Sequence, residues 1–169
     1  MAHTKTLLIV YHSHTGGTRQ MVHALREGAL SESQSGDLQV QLLHASEAMP
    51  EDVLQADAYV FATPENLAAM SGLLKDFFDR CYYSALDHTN GRPYASLVCA
   101  GSDGHNAARQ IARIATGWRL KPVADPLIVC THAQTPEAIA APKHIGATDL
   151  AACHAMGAAL ASGVLQGIF

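Results

Sequence analysis

The chain has 169 residues, 49% of them hydrophobic and 15% charged, which predicts a single globular domain over residues 1–169 rather than a disordered segment. Its formal net charge of −4 gives no electrostatic reason to expect nucleic acid or an anionic membrane as a partner. The four cysteines stand far apart without a CxxC pair, which argues against a zinc ribbon and fits a reduced, cytoplasmic protein.

Short apolar runs alternate along the chain with segments of helical periodicity. The predicted elements are, in order, a strand at residues 6–11, a helix at 18–30, a strand at 38–43, a short helix at 51–56, a strand at 58–62, a helix at 71–81, a strand at 96–100, a helix at 107–118, a strand at 127–130 and a closing helix from 148. Less regular segments are predicted at 31–37, 82–93 and 131–147.

The composition of the strands predicts their places in a sheet. The first, third and fourth are almost continuously apolar, as strands covered on both faces should be. The second alternates between apolar and polar residues from Leu38 to Leu42, and Pro126 introduces the fifth, so both suit an edge. With right-handed crossovers, the pattern predicts an α/β fold with a doubly wound, five-stranded parallel sheet in the order 2-1-3-4-5.

The two ends of the chain bear on localisation. The run TLLIVY is too short for a signal-peptide core, so no targeting segment is expected. The last 20 residues are long enough to span a bilayer, but they are mostly Ala and Gly and are interrupted by His154, Ser162 and Gln166. We expect a helix packed closely on the sheet or on another subunit, and no membrane partner.

The loop after the first strand, YHSHTGGTRQ, has the composition of an anion site. It runs directly into a helix N-terminus, whose free N–H groups and positive dipole end attract an anion. Ser13, Thr15 and Thr18 add hydroxyl groups, and Gly16 and Gly17 allow close approach of the backbone. The loop therefore predicts a bound phosphate group. The alternative is a hydroxyl-capped turn that serves only the helix.

Several phosphate chemistries are excluded at this loop. Without a GK[ST] sequence, no lysine is placed for the β/γ-phosphates of a nucleoside triphosphate. There is no GxGxxG dinucleotide fingerprint, and no cysteine for a thiol phosphatase. His12 and His14 flank Ser13, but alternate positions at a strand end point apart and no acidic residue lies nearby in the sequence, so no metal site is expected. What is left is a loop that holds a terminal phosphate through neutral donors.

Two further loops leave the same predicted edge of the sheet. TPENLAAMSG follows the third strand and AGSDGHNA follows the fourth. Loops at the carboxyl ends of central strands are expected to touch a ligand in the crevice. The alternative is that each is a turn with a helix cap, with Ser71 and Asp103 as the capping residues.

These three loops resemble those of the flavodoxin superfamily. SHTGGT looks like its phosphate loop, ATPENLAAMSGLLKDFFDR is similar to a segment of WrbA-type flavoproteins and NADPH-dependent FMN reductases, and AGSDG resembles the next flavin loop. The resemblance implies FMN as cofactor, with its phosphate bound by Ser13, His14, Thr15, Gly17 and Thr18. It implies contacts with the flavin from Pro64, Glu65, Asn66, Leu67, Gly101, Ser102, Asp103 and Gly104.

The sequence departs from electron-carrier flavodoxins, which usually stack aromatic residues on the ring and are strongly acidic, because neither middle loop contains an aromatic residue and the charge is mild. We therefore expect an FMN-binding NAD(P)H-dependent oxidoreductase, with NADH or NADPH as reductant and a quinone or free flavin as acceptor. The flavin supplies the redox chemistry, so no acid–base residue is nominated. The alternatives are a flavodoxin-type one-electron carrier and a scaffold that has lost its flavin. The small residues of the closing helix predict a homodimer.

Overall fold

The computed structural model describes residues 4–33 and 36–169. Within these ranges the strands are β1 (Lys5–Tyr11), β2 (Leu38–His44), β3 (Ala58–Asn66), β4 (Ala69–Met70), β5 (Pro93–Ala100), β6 (Lys121–Pro122) and β7 (Leu127–Cys130). The helices are α1 (Gly17–Glu32), α2 (Pro50–Gln55), α3 (Gly72–Ala85), α4 (His105–Gly117), α5 (Pro136–Ala140) and α6 (Ala147–Gln166).

The sheet confirms the predicted doubly wound topology. Strands β2, β1, β3 and β5 pair in that order, all parallel. The last position is divided between two short strands, because β6 pairs with the start of β5 and β7 with its end. Pro122 and Pro126 lie at this division, and a proline has no N–H to continue the ladder. The predicted order 2-1-3-4-5 therefore holds, with its fifth strand split in two.

Helices cover both faces of the sheet, which is why the central strands are apolar throughout. Residues Leu7–Val10 of β1 are fully buried, with alternate side chains entering two separate hydrophobic clusters. One cluster lies under α2, α3 and α4 and is built around Phe61, which contacts the rings of Tyr59, Phe77, Phe78, Tyr94 and Trp118. The other lies under α1 and α6. This packing fixes the strand ends that carry the three loops.

The closing helix α6 packs directly on α1 through a pair of glycines. A Cβ on Gly28 would lie 1.9 Å from the carbonyl oxygen of His154, and one on Gly157 would lie 1.9 Å from that of Leu25. The two helix backbones therefore approach so closely that even the Cβ of an alanine would clash at either glycine. By length and apolar composition alone α6 also meets the criterion for a membrane span, and 33% of its most apolar window is buried inside the domain. The expectation that this helix packs on the sheet is confirmed, since Cys153, Leu160 and Ala161 belong to the hydrophobic cluster on that face. Packing on another subunit stays a prediction.

Besides β6, two short elements inside loops were not predicted. Strand β4 pairs antiparallel with the end of β3, and α5 lies within the segment 131–147 that was expected to be irregular. Helix α5 has no buried residue and hence no apolar periodicity, but Thr135 followed by Pro136 is a helix-start signal that the sequence contained. Helix α1 extends to Glu32, and residues 34 and 35 of the predicted loop 31–37 lie outside the described residues.

Candidate cofactor-binding site

A cavity of about 510 Å³ lies at the carboxyl ends of β1, β3, β5 and β7, within the usual size range of ligand sites. It is lined by eleven of the predicted site residues: Ser13, His14, Thr15, Gly17, Thr18, Pro64, Glu65, Asn66, Leu67, Gly101 and Ser102. Three other predicted residues, Gly16, Asp103 and Gly104, lie in the same loops but are not part of its lining. The sheet therefore brings the three loops to one cavity.

The first loop requires its two glycines for different reasons. Gly16 precedes α1 with a φ of 91°, a left-handed conformation that side chains disfavour. Gly17 has no such φ, but a Cβ there would lie 2.5 Å from the Sγ atom of Cys99 in β5. Gly16 thus shapes the turn, while Gly17 lets the helix start settle on the end of a neighbouring strand.

The start of α1 contains a buried hydroxyl group with no partner. Thr18 is 1% exposed, and its Oγ1 atom has no hydrogen-bond partner in the described part of the chain. Leaving such a group unpaired costs about 1–3 kcal/mol. The N–H groups of Gly17 and Thr18 also lack helical acceptors by position, and the first turn of α1 contains no acidic residue. Gly17 and Thr18 both belong to the cavity lining, so these hydrogen-bond donors lie beside it.

The capping alternative explains Ser13 alone among the three hydroxyl residues. The N–H of Arg19 donates to Oγ of Ser13 at 3.3 Å, so this side chain accepts from the first turn of α1. The residue at the N-cap position itself is Gly16, which has no side chain to offer. Thr18 lies inside the helix and is not a cap. A turn that served only the helix would not need its hydroxyl.

Glu65 links the second loop to the third by capping α4. The N–H of Gly104 donates to Oε1 of Glu65 at 2.9 Å, and the N–H of Ala107 donates to Oε2 at 3.2 Å. The expectation that Asp103 caps α4 is therefore wrong, because the N-cap is Gly104 and a residue distant in sequence supplies the carboxylate. The cap expected at Ser71 is confirmed, since its Oγ accepts from the N–H of Leu74.

The second loop is a tight hairpin whose tip residue Leu67 belongs to the cavity lining. Leu67 and Ala68 join β3 to β4 with φ values of 50° and 59°, which is uncommon for residues with side chains. The side-chain amide of Asn106 donates to the carbonyl of Ala68, and Gln110 accepts from the N–H of Met70 at 2.8 Å. Leu67 is fully exposed. Helix α4 thus holds this turn with an apolar side chain at its tip.

Residues 44–135, more than half of the chain, match the model of the family described as NADPH-dependent FMN reductase. The chain belongs to this family. A protein named Flavodoxin from Aquifex aeolicus (strain VF5) is 38% identical over 108 residues, which are 63% of this chain and 55% of that protein. The chain therefore spans about half the length of this curated relative.

Solved structures show the same fold at low sequence identity. A flavodoxin from the domain Archaea has a TM-score of 0.74 at 18% identity, with 95% of this chain and 99% of that chain covered. A flavodoxin, WrbA-like protein from Agrobacterium tumefaciens has a TM-score of 0.72 at 19% identity, with 96% and 98% covered. The resemblance read from the loops is confirmed at the level of family and fold.

A fourth segment of this FMN reductase family member also lines the cavity, and the sequence reasoning missed it. It follows β7 and contributes Thr131, Ala133, Gln134, Ile139 and Lys143. The N–H groups of Thr131 and His132 donate to the carbonyls of Ala100 and Gly101, which ties this segment to the third loop. The signal was available, because β7 is also a parallel strand and its carboxyl end meets the same edge.

Two titratable groups near the cavity, Cys99 and His12, are held neutral. Burial raises the pKa of the Cys99 thiol to about 11, against a smaller opposing effect of the Lys143 ammonium, so this cavity residue stays protonated at neutral pH. Burial lowers the pKa of His12, and the neighbouring His44 and His14 lower it further. Neither group is therefore charged at neutral pH, and Cys99 is a poor nucleophile.

Proposed function

We propose that the chain binds FMN in this cavity, with the phosphate group at the start of α1. The observation that carries the proposal is the buried Oγ1 atom of Thr18, which has no hydrogen-bond partner among the described residues and belongs to a residue that lines the cavity. A phosphate oxygen would accept from this hydroxyl and from the free N–H groups of the first helical turn, and the helix dipole favours a negative charge there. Membership of the FMN reductase family supports FMN as the ligand.

The rest of the cofactor would extend toward the second and third loops. These contribute backbone and small side chains at Pro64, Gly101 and Ser102, and the described lining contains no Phe, Tyr or Trp. The apolar side chains at the rim are aliphatic: Leu67 is fully exposed and Ile139 is 56% exposed. A flavin ring that contacts only aliphatic side chains has less stacking energy than one that lies between aromatic side chains. One face of the ring stays accessible, however.

On this basis we propose an NAD(P)H-dependent oxidoreductase that uses a quinone or free flavin as acceptor. Bound FMN supplies the hydride and electron transfer chemistry. The contribution of the chain is to anchor the phosphate, to orient the ring by the hairpin and the Gly101 loop, and to leave room for a second planar molecule. The mild net charge of −4 offers little electrostatic steering toward a large protein partner.

The test is a flavin titration followed by steady-state kinetics. FMN added to the purified protein should bind at one site with moderate affinity. Quenching of the flavin fluorescence measures this binding. With FMN supplied, oxidation of NADH or NADPH in the presence of benzoquinone should be faster than with free FMN alone. If FMN binds but neither nicotinamide is oxidised above that control, the reductase proposal is wrong.

The second candidate is a one-electron carrier, and the curated relative named Flavodoxin favours it. The variant Leu67→Tyr separates the two functions because it adds an aromatic ring at the cavity rim. In a reductase the added ring should tighten FMN binding while slowing nicotinamide oxidation, since it covers the open face. A carrier that receives single electrons from a reductase protein should bind FMN more tightly and show no nicotinamide activity to lose.

A further inference from the structure

Charge on the cavity wall is sparse, which makes its single lysine important. The described lining residues with formally charged side chains are Glu65 and Lys143. The Glu65 carboxylate is already engaged by the N-terminus of α4. The hydroxyl and N–H donors at the start of α1 are neutral, whereas a phosphate monoester is largely doubly negative at neutral pH. If FMN binds as proposed, the segment after β7 provides the only cation on this described lining.

The backbone of Lys143 is attached directly to the phosphate loop. Its N–H donates to the carbonyl of Thr15 at 2.8 Å, and its carbonyl accepts from the side-chain amide of Gln20 in α1 at 2.7 Å. The Gln20 amide also donates to Gly16, and its oxygen accepts from the N–H of Ile145. The Cβ of Lys143 lies 3.5 Å from the position that a Cβ on Gly17 would take. Lys143 is therefore as fixed as the loop itself.

The ammonium group of Lys143 is held in place without being neutralised. It donates to the carbonyls of Ala138, Ile139 and Ala141 at 2.9, 2.8 and 2.6 Å, around the end of α5. Among the described residues no carboxylate pairs with it. Its charge lowers the pKa of Cys99, the residue beneath Gly17, in opposition to burial. The positive charge of Lys143 therefore acts on Cys99, which belongs to the cavity lining.

We propose that Lys143 is a positioning and charge-balancing residue for the cofactor's phosphate group, supplied by the segment between β7 and α6. This inference rests on the proposed function, because it assigns a residue of the same site. In this arrangement a cation distant in sequence completes the loop of neutral donors. The consequence is that preference for FMN over riboflavin depends on Lys143, while binding of the ring does not.

The experiment compares FMN and riboflavin binding in matched variants of the full chain. Lys143→Gln should weaken FMN roughly tenfold, the order expected for one partly screened ion pair, and riboflavin less than about twofold. Lys143→Arg should keep most of the preference for FMN. Lys121→Gln is the control, since it makes the same change in net charge at an exposed position in β6. In the wild type, inorganic phosphate should compete with FMN, and the preference should fall with added salt.

The possible failures are distinguishable. If Lys143→Gln weakens FMN and riboflavin equally, Lys143 only organises the segment around α5 and the inference is wrong. If that variant keeps the full preference for FMN, the charge is irrelevant and the inference is again wrong, while the proposed function stands. If the wild type binds FMN no better than riboflavin, the proposed phosphate site itself fails.

Discussion

Replacing Thr18 by Val should stabilise the protein without ligand and weaken its binding of FMN. The two side chains have nearly the same shape, and both are β-branched with similar helix propensity. The substitution removes only the hydroxyl that the structure leaves buried without a partner. A substitution that improves folding while damaging binding is the signature of a polar group retained for a ligand.

The magnitudes follow from the state of that hydroxyl. A buried unpaired polar group costs about 1–3 kcal/mol, so Thr18→Val should raise the free energy of unfolding of the ligand-free protein by up to that amount. A hydrogen bond to a charged group contributes about 1.5–3 kcal/mol, so the affinity for FMN should fall by roughly 10- to 150-fold. Riboflavin lacks the phosphate, and its affinity should change little. The variant Thr18→Ser keeps the hydroxyl and should keep the preference for FMN.

Urea unfolding without ligand and fluorescence titrations with both flavins provide the measurements. Thr116→Val is the matched control, because the Thr116 hydroxyl donates to the carbonyl of Ala112 on an exposed face of α4. That control should change neither the FMN preference nor, beyond about 0.5 kcal/mol, the stability. The reasoning is refuted if Thr18→Val destabilises the ligand-free protein, or if it weakens both flavins by the same factor.

Four further outcomes are expected. Thr15→Ala should weaken FMN by more than riboflavin in the same titrations, and equal losses would mean that the loop does not hold the phosphate. Gly157→Ala should lower the free energy of unfolding by about 1–3 kcal/mol or more, because its Cβ would meet the backbone of α1, whereas Gly117→Ala meets open space and should be neutral or slightly stabilising. Burial raises the pKa of the Cys81, Cys99 and Cys153 thiols from 9 to about 11. These groups should therefore make the free energy of unfolding fall as pH rises from about 9 to 11. Urea titrations should show a shallower decline with pH in Cys99→Ala than in the wild type, and an unchanged slope would contradict the shift of the Cys99 pKa. The exposed alanines of α6 lead us to expect a homodimer, and a monomer mass by light scattering at micromolar concentration would exclude it.

The sheet was predictable because burial leaves a regular mark on a sequence. Four consecutive fully buried residues in β1 reflect a strand covered on both faces, and the alternation of apolar and polar residues in β2 correctly predicted a strand at the edge of the sheet. The same regularity placed the main helices to within a few residues. Strand β4 and helix α5 left no such mark, because one has only two residues and the other buries none. The turn that carries β4 is instead held by Asn106 and Gln110 of α4, which lie far from it in the sequence.

The site was predictable as far as local sequence determines it. The three loops were found because each follows a central strand, and eleven of their residues do line one cavity. The cap of α4 was missed because Glu65 reaches it across 39 positions of the sequence, and such a contact leaves no local pattern. The contribution of Lys143 was missed for the same reason, since it joins Thr15 only through the fold. Sequence periodicity predicts faces of elements, whereas cross-loop contacts depend on tertiary packing.

The contacts between loops bear on how the cavity would hold a cofactor without aromatic side chains. Lys143 ties the last segment to Thr15, and Glu65 ties the hairpin to Gly104, so the cavity wall is braced by bonds within the protein. A wall that is already ordered loses little conformational entropy on binding, which offsets some of the missing stacking energy. At the rim, Leu67 adds little stacking energy, because its side chain is fully exposed and would cover little of a bound ring. If FMN binds as proposed, rigid anchorage at the phosphate end would leave a face of the ring open to a second planar reactant, which is the basis for proposing a reductase rather than a carrier.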